Sequence, residues 1–298
     1  MSKKYSKEEL FVKFRNLGWS ESQQSRSIFN FLIRARNETR GPNVLLDLGA
    51  GECRYNFFFD ECHYIAVDFA KGDKRWDWSN LDLIGDISNP KFIKDESVDF
   101  CLCTTTLEHI SEPHRFFMEI ERILKPGGNL YLYVPYLIDE HQTPYDFFRY
   151  TSFGLKYLVK QADLKLIFLR PSSGPLSTGI HLINHSLSVA IPKNILTRLF
   201  VIFFRLSFKY LLTPIFLVLD KNVKVDRFPK DWVLIAQKEL MDLSKKRLQK
   251  KFNSKADAIN YILRCPNCYK NLKPLSEKYV CANCKNQYPV VNNKINLL

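Results

Sequence analysis

Short apolar runs alternate with amphipathic stretches over the first two thirds of the chain, and that alternation sets the architecture. Residues 6–40 carry apolar positions at helical spacing. Residues 43–49, 64–68, 81–86, 98–105, 129–135 and 164–169 are short apolar runs bounded by glycines or polar turns, the pattern of buried strands. Residues 112–124 and 153–162 repeat at helical spacing. The Lys-Pro-Gly-Gly of residues 125–128 stops the first of these, with lysine in the last turn and glycine beyond. Strands alternating with helices predict parallel pairing in an open α/β sheet.

The alternation breaks after residue 171. Residues 172–228 read as a helical insertion, and the strand pattern returns once, at residues 231–237. The expected division is an N-terminal helical segment (1–40), a core (41–171), an amphipathic insertion (172–228), the closing strand of the core (229–238), a basic linker (239–258) and a small C-terminal module (259–298).

With 298 residues, 46% of them hydrophobic, the chain has enough apolar surface for a sizeable core and is not a disordered class. The net charge of +13 is unevenly spread. Residues 41–170 hold 14 basic and 20 acidic groups, whereas residues 193–255 hold 15 and 5. A concentrated basic region suggests an anionic partner. In residues 195–219, Arg198, Arg205 and Lys209 fall within about 40° of one another on a helix whose remaining surface is Leu, Phe, Ile and Val. Such a stripe suits an in-plane position at an acidic membrane, with the cations snorkelling, or a lid or subunit face. Three cations within the run argue against a simple transmembrane span. Pro214 is expected to kink or end the helix. Nucleic acid fits less well, because it would call for basic groups interleaved with exposed polar ones. No apolar segment follows the first ten residues, so a cytoplasmic location, peripheral at the inner face of the membrane, is the expectation.

The candidate chemistry begins at Asp47-Leu-Gly-Ala-Gly-Glu-Cys53, directly after the first strand. Gly49 and Gly51 let the backbone turn sharply and approach a nucleotide-like ligand. Asp68 closes the second strand and can accept two hydrogen bonds from a ribose diol. Near the C-terminus, Cys265, Cys268, Cys281 and Cys284 form two CxxC pairs. In a chain without a secretion signal, two such pairs present four thiolates to a metal, zinc above all, in a closed structural site.

The runs VLLDLGAG, IAVDF, GDIS, SVDFCLCTTTLEHI and EPHRFFMEIERILKPGGNLYLYVPY together resemble S-adenosylmethionine-dependent methyltransferases of the Rossmann-like class, over residues 41–170 with residues 232–238 as the closing strand. The resemblance implies a seven-stranded open α/β sheet carrying the helical insertion and a small C-terminal zinc ribbon. It also implies roles. Asp47 would support the turn, Gly49 and Gly51 would pass the methionine part of the cofactor, and Asp68 would hold the ribose. Asp86 and Ile87 would face the adenine, and Thr104 and Glu108 would lie beside the methyl group. Cys53 stands where a third glycine often occurs in this class, and residues 69–80 are short and polar for the usual second helix.

Methyl transfer from a sulfonium asks mainly for alignment, with a base where the acceptor is a hydroxyl. The segment 139–151 (DEHQTPYDFFRYT) resembles one seen in methyltransferases encoded with surface-glycan genes. His141, Asp146, Arg149 and Tyr150 are its substrate-side candidates, although Asp146 and Arg149, three apart, also suit a simple local pair. The C-terminal 38 residues resemble the zinc-ribbon family that includes the activator subunit of tRNA, rRNA and release-factor methyltransferases, which implies docking on the core or presentation of substrate. The expected function is O-methylation of a cell-surface glycan or lipid-linked precursor. RNA or protein methylation, and a non-catalytic scaffold that displays the ribbon, are the alternatives.

Overall fold

In the computed structural model, residues 5–17, 23–72, 75–190, 193–223, 227–240 and 250–298 are described. Residues 241–249 of the expected linker, 18–22 of the N-terminal segment and 191–192 and 224–226 of the insertion lie outside them. Two helices open the chain, α1 (Lys7–Asn16) and α2 (Gln23–Glu38). Ser6 caps α1 reciprocally with Glu9, satisfying two free amides of its first turn.

The core follows as β1 (Val44–Leu48), β2 (His63–Asp68), β3 (Leu83–Ile84), β4 (Val98–Thr104), α3 (Pro113–Ile123), β5 (Leu124–Pro135), α4 (Ser152–Gln161) and β6 (Leu164–Pro171). The insertion forms α5 (Pro175–Val189), α6 (Ile195–Ser207) and α7 (Thr213–Leu219) before β7 (Asp231–Lys238). The C-terminal module is α8 (Lys255–Ile262) with β8 (Leu272–Pro274), β9 (Lys278–Cys281), β10 (Gln287–Val291) and β11 (Lys294–Asn296).

All eleven strands join one sheet in the order β6-β7-β5-β4-β1-β2-β3-β11-β10-β9-β8. The first seven positions are the expected Rossmann-like core. Two features depart from the sequence reading. The sheet is mixed: β7 returns antiparallel between β5 and β6. The sheet also does not stop at seven strands, because β11 pairs in parallel with β3 and carries the cysteine module onto that edge. The Ile295 amide donates to Asp82 O (3.0 Å) and the Leu297 amide to Ile84 O (2.9 Å). The Arg264 amide donates to Phe92 O, and its guanidinium pairs with Asp95 (2.9 Å).

Alternate positions of the buried strands feed two cores, one on each face. Val44, Leu46, Leu48, Cys101 and Cys103 pack with α3, α4, α8 and the module's Cys265, Tyr288 and Ile295. Leu45, Phe100, Leu102 and Tyr131 pack with α1 and α2. The module therefore shares the core's hydrophobic interior and is not a tethered appendage.

Asp220, at the far end of the α6–α7 rod, returns to the start of α5 and accepts from the amides of Leu176 (3.0 Å) and Ser177 (2.9 Å). This acidic cap closes the insertion into a hairpin. Helical residues continue from Ile195 past Pro214 to Asn222, but a π turn at Phe208–Leu212 interrupts the α ladder just before the proline, which then sits in the first turn of α7. At 28 residues, with a mean hydropathy of 1.7 over its most apolar 18, this run is long and apolar enough to cross a membrane, and none of that window is buried.

Candidate active site

A cavity of about 610 Å³ opens at the carboxyl ends of β1, β2 and β4, within the range of small-molecule sites. Its floor is the turn after β1. Gly49 (φ +78°) and Gly51 (φ +54°) adopt left-handed backbone there, and a Cβ on Gly49 would stand 2.2 Å from the Thr106 side chain. Cys53 also sits at φ +56°, so a buried cysteine occupies the conformation a third glycine would have had. Asp47 is buried beneath the turn, where Tyr64 donates to it, and burial pushes its carboxyl up to about 7. Asp68 accepts from the Gly51 amide (3.0 Å) and the Ala70 amide (2.9 Å), which leaves lone pairs on both oxygens. Burial raises its pKa against those bonds.

Asp86 and Ile87 line the same cavity, with Asp86 accepting from the Ser88 amide (2.9 Å) and hydroxyl (2.7 Å). Thr104 is on the wall, and its hydroxyl has no partner among the described residues. No helix forms among the described residues of 69–80. Trp76 and Trp78 cover that side instead, their rings 5.3 Å apart, with Trp76 over Gly51. The sequence reading did not pick out these tryptophans. Their signal was two aromatic residues at alternate positions in an otherwise polar stretch.

The opposite wall is built by the short turn Leu107–His109 and the segment after β5. His109 and His141 both line the cavity, with ring centroids 4.9 Å apart. Behind them lies Glu108, fully buried, and neither carboxylate oxygen has a hydrogen-bond partner among the described residues. Its Oε1 is 3.7 Å from Nε2 of each histidine. The carboxylate lifts the His141 imidazole above its ordinary value despite burial.

Asp146 accepts from the His141 amide (2.9 Å) and is clamped by both terminal nitrogens of Arg149 (2.6 and 2.7 Å). That guanidinium holds the Asp146 carboxyl down at about 2. Arg149 also donates to the carbonyls of Ile138 and Asp139, pinning the loop that carries His141. Of the four substrate-side candidates, only His141 reaches the cavity. Asp146 and Arg149 position its loop. Tyr150 is buried in the core with its hydroxyl donating to Leu107 O (3.3 Å), which corrects the expectation that it faces substrate.

Residues 46–132 match the family described as "Methyltransferase domain". That part of the core is similar to methyltransferase domains. Curated relatives of this chain include Thiol S-methyltransferase TMT1B of Mus musculus and of Rattus norvegicus, each 27% identical over 121 residues, covering 37% of this chain and 49% of the relative. The chain thus spans about half the length of the curated relatives it matches. Similar solved structures include a SAM-dependent methyltransferase from Archaeoglobus fulgidus (14% identity, TM-score 0.46, covering 78% of this chain and 94% of that one). A second is a complex between the Haloferax volcanii Trm112 methyltransferase activator and a methyltransferase (16% identity, TM-score 0.44, 70% and 89%).

The cavity fits S-adenosylmethionine on its own chemistry. An acid with free lone pairs stands at the end of β2, an unpartnered hydroxyl at the end of β4, and indole faces cover the turn. Apart from Glu108, which stands behind the histidines, every residue expected to bind the cofactor lines that cavity.

Outside the cavity lining, Cys265, Cys268, Cys281 and Cys284 bring their sulfurs together, with Cys265–Cys284 at 3.6 Å and Cys268–Cys281 at 3.3 Å. Four sulfurs around a tetrahedral zinc stand about 3.8 Å apart, so the cluster is close to that geometry. The amides of Asn283 and Cys284 donate to Cys281 Sγ (3.4 Å each), as thiolate ligands require.

Proposed function

We propose that the chain moves a methyl group from S-adenosylmethionine to a hydroxyl of a cell-surface glycan or its lipid-linked precursor, and that a structural zinc holds the four-cysteine ribbon. The observation that carries the methyl-transfer reading is the cavity at the strand ends, where Asp68 keeps lone pairs free beside the glycine turn. S-adenosylmethionine bound there supplies a methyl carbon on a positively charged sulfur, which is already a good leaving group. Asp68 grips the ribose, Asp86 faces the adenine edge, and Trp76 and Trp78 shield the turn from water. The acceptor enters past His141, and the wall of Glu108, His109 and His141 handles its proton.

The glycan acceptor is supported by the resemblance of segment 139–151 and by the hairpin. Leu196, Leu199, Phe200, Phe203 and Tyr210 are exposed on it, flanked by exposed Arg198 and Arg205. That composition suits an in-plane seat on an acidic membrane, where a lipid-linked sugar would be presented. A second reading, a thiol acceptor, is favoured by the names of the curated relatives.

Transfer of tritiated methyl into fractionated cell extract tests the acceptor. Label in polysaccharide or lipid-linked sugar supports the first reading, and label in small thiols the second. Label in RNA or protein contradicts both. Co-sedimentation with acidic vesicles at low salt tests the membrane seat, and a chain that stays in the supernatant rejects it.

A further inference from the structure

The acceptor wall has an acceptor mismatch. His109 Nδ1 is 2.7 Å from the Tyr145 carbonyl, and His141 Nδ1 is 3.1 Å from the Asp139 carbonyl. Carbonyl oxygens only accept, so each Nδ1 carries the proton and donates it. In the neutral rings each Nε2 is then a lone pair. Both of these lone pairs face the same carboxylate oxygen, Glu108 Oε1, at 3.7 Å. With both rings neutral, three acceptors converge around a carboxylate wholly removed from solvent, with no donor between them among the described residues; a proton on one ring satisfies a single contact and leaves the other unmatched. An arrangement of this kind is unfavourable unless positive charge sits inside it.

We propose that Glu108, His109 and His141 form a binding site for a divalent transition ion of the zinc type. The three ligand atoms lie within 4.8 Å of one another. Donors on a tetrahedral zinc with oxygen and nitrogen ligands stand about 3.3–3.4 Å apart, so the 3.7 Å separations need to close by a few tenths of an ångström. The outer shell is already built. Each imidazole donates its other nitrogen to a backbone carbonyl, which fixes its tautomer, and the Arg149–Asp146 pair anchors the His141 loop. Two histidines and one carboxylate leave a coordination position open, and both histidines border the cavity, so that position belongs to the acceptor.

The ion's role in catalysis rests on the methyl-transfer reading, whereas its binding does not. A hydroxyl or thiol acceptor at the open position gives up its proton to water more readily. Its lone pair then forms the new bond to the methyl carbon as the carbon–sulfur bond of the sulfonium breaks. That electron pair stays on sulfur, leaving a neutral thioether. The site thus selects acceptors by an ionisable X–H group that can reach a metal.

The test is metal content of the full chain after equilibration with zinc alone and removal of excess, compared with His141→Ala and His109→Ala. The wild type is expected to hold one more ion per chain than either variant. Cobalt(II) is expected to show the tetrathiolate charge-transfer band unchanged in all three, with a separate nitrogen/oxygen-site spectrum in the wild type alone. Equal ion content in wild type and variants overturns the proposal. Calorimetry with S-adenosylhomocysteine on the same preparations keeps the two readings apart. A chain that binds the nucleoside without the extra ion loses only the metal site. A chain that takes the ion but not the nucleoside keeps the site and loses the methyl-transfer reading.

Discussion

The two walls of the cavity are finished differently. On the cofactor side every acid has partners: Asp68 accepts two amides, Asp86 an amide and a hydroxyl, and Asp47 the Tyr64 hydroxyl. On the acceptor side, Glu108 and the Nε2 of His109 have none among the described residues. The first wall is organised before any ligand arrives. The second is complete only when something positive or hydrogen-bearing enters. Binding of nucleoside and turnover should therefore separate under mutation.

The largest separation is expected from His141→Ala. Turnover should fall by roughly 10²–10⁴-fold, while cofactor affinity stays within about 3-fold, because the residue belongs to the acceptor wall alone. Single-turnover kinetics beside equilibrium binding checks this, and a parallel loss of affinity would dissolve the distinction between the walls. Asp68→Ala should do the reverse. Loss of charge-assisted bonds to the ribose weakens cofactor binding by about 10–100-fold. An unchanged affinity by calorimetry would move the ribose elsewhere.

Glu108→Gln is the next step down. A neutral amide donates to the facing histidines, where the carboxyl oxygens have no hydrogen-bond partner among the described residues. The metal-free protein should gain about 1–3 kcal/mol of stability in urea unfolding, at the expense of activity. A destabilised variant would mean that the carboxylate is satisfied as it stands.

The smallest effect is a pH dependence. Asp47 holds its proton more tightly folded than unfolded, up to about 7. Its contribution to stability is fully present below its ordinary value near 4 and is lost as pH rises through about 7. A cationic ligand in the cavity favours the ionised form, so affinity for S-adenosylmethionine should rise over the same window and binding should release a proton. Asp47→Asn should flatten both trends, and calorimetry in buffers of different ionisation enthalpy reads them.

Much of this was legible in sequence because it is local. Gly49, Gly51 and Asp68 announce themselves by position after apolar runs, and the four cysteines by spacing. The antiparallel β7 was not legible, since a single apolar run carries no direction and the insertion hides the connection before it. Nor was the seam between β11 and β3, three- and two-residue strands whose pairing is tertiary. Trp76 and Trp78 escaped notice because they belong to no periodic element. The Glu108–His109–His141 cluster escaped because 32 residues separate its histidines, and only the loop pinned by Arg149 brings them together. Tyr150 was misread for the opposite reason: its motif neighbours point to the site, but its own side chain packs inward.

The central claim is that the cavity at the strand ends receives an adenosyl sulfonium with its ribose on Asp68. Titration calorimetry of the full chain with S-adenosylmethionine and with S-adenosylhomocysteine tests it most directly. Saturable one-to-one binding of both is expected, weakened in Asp68→Ala and retained in His141→Ala. Folded wild-type protein that gives no binding heat with either ligand at several temperatures would contradict it.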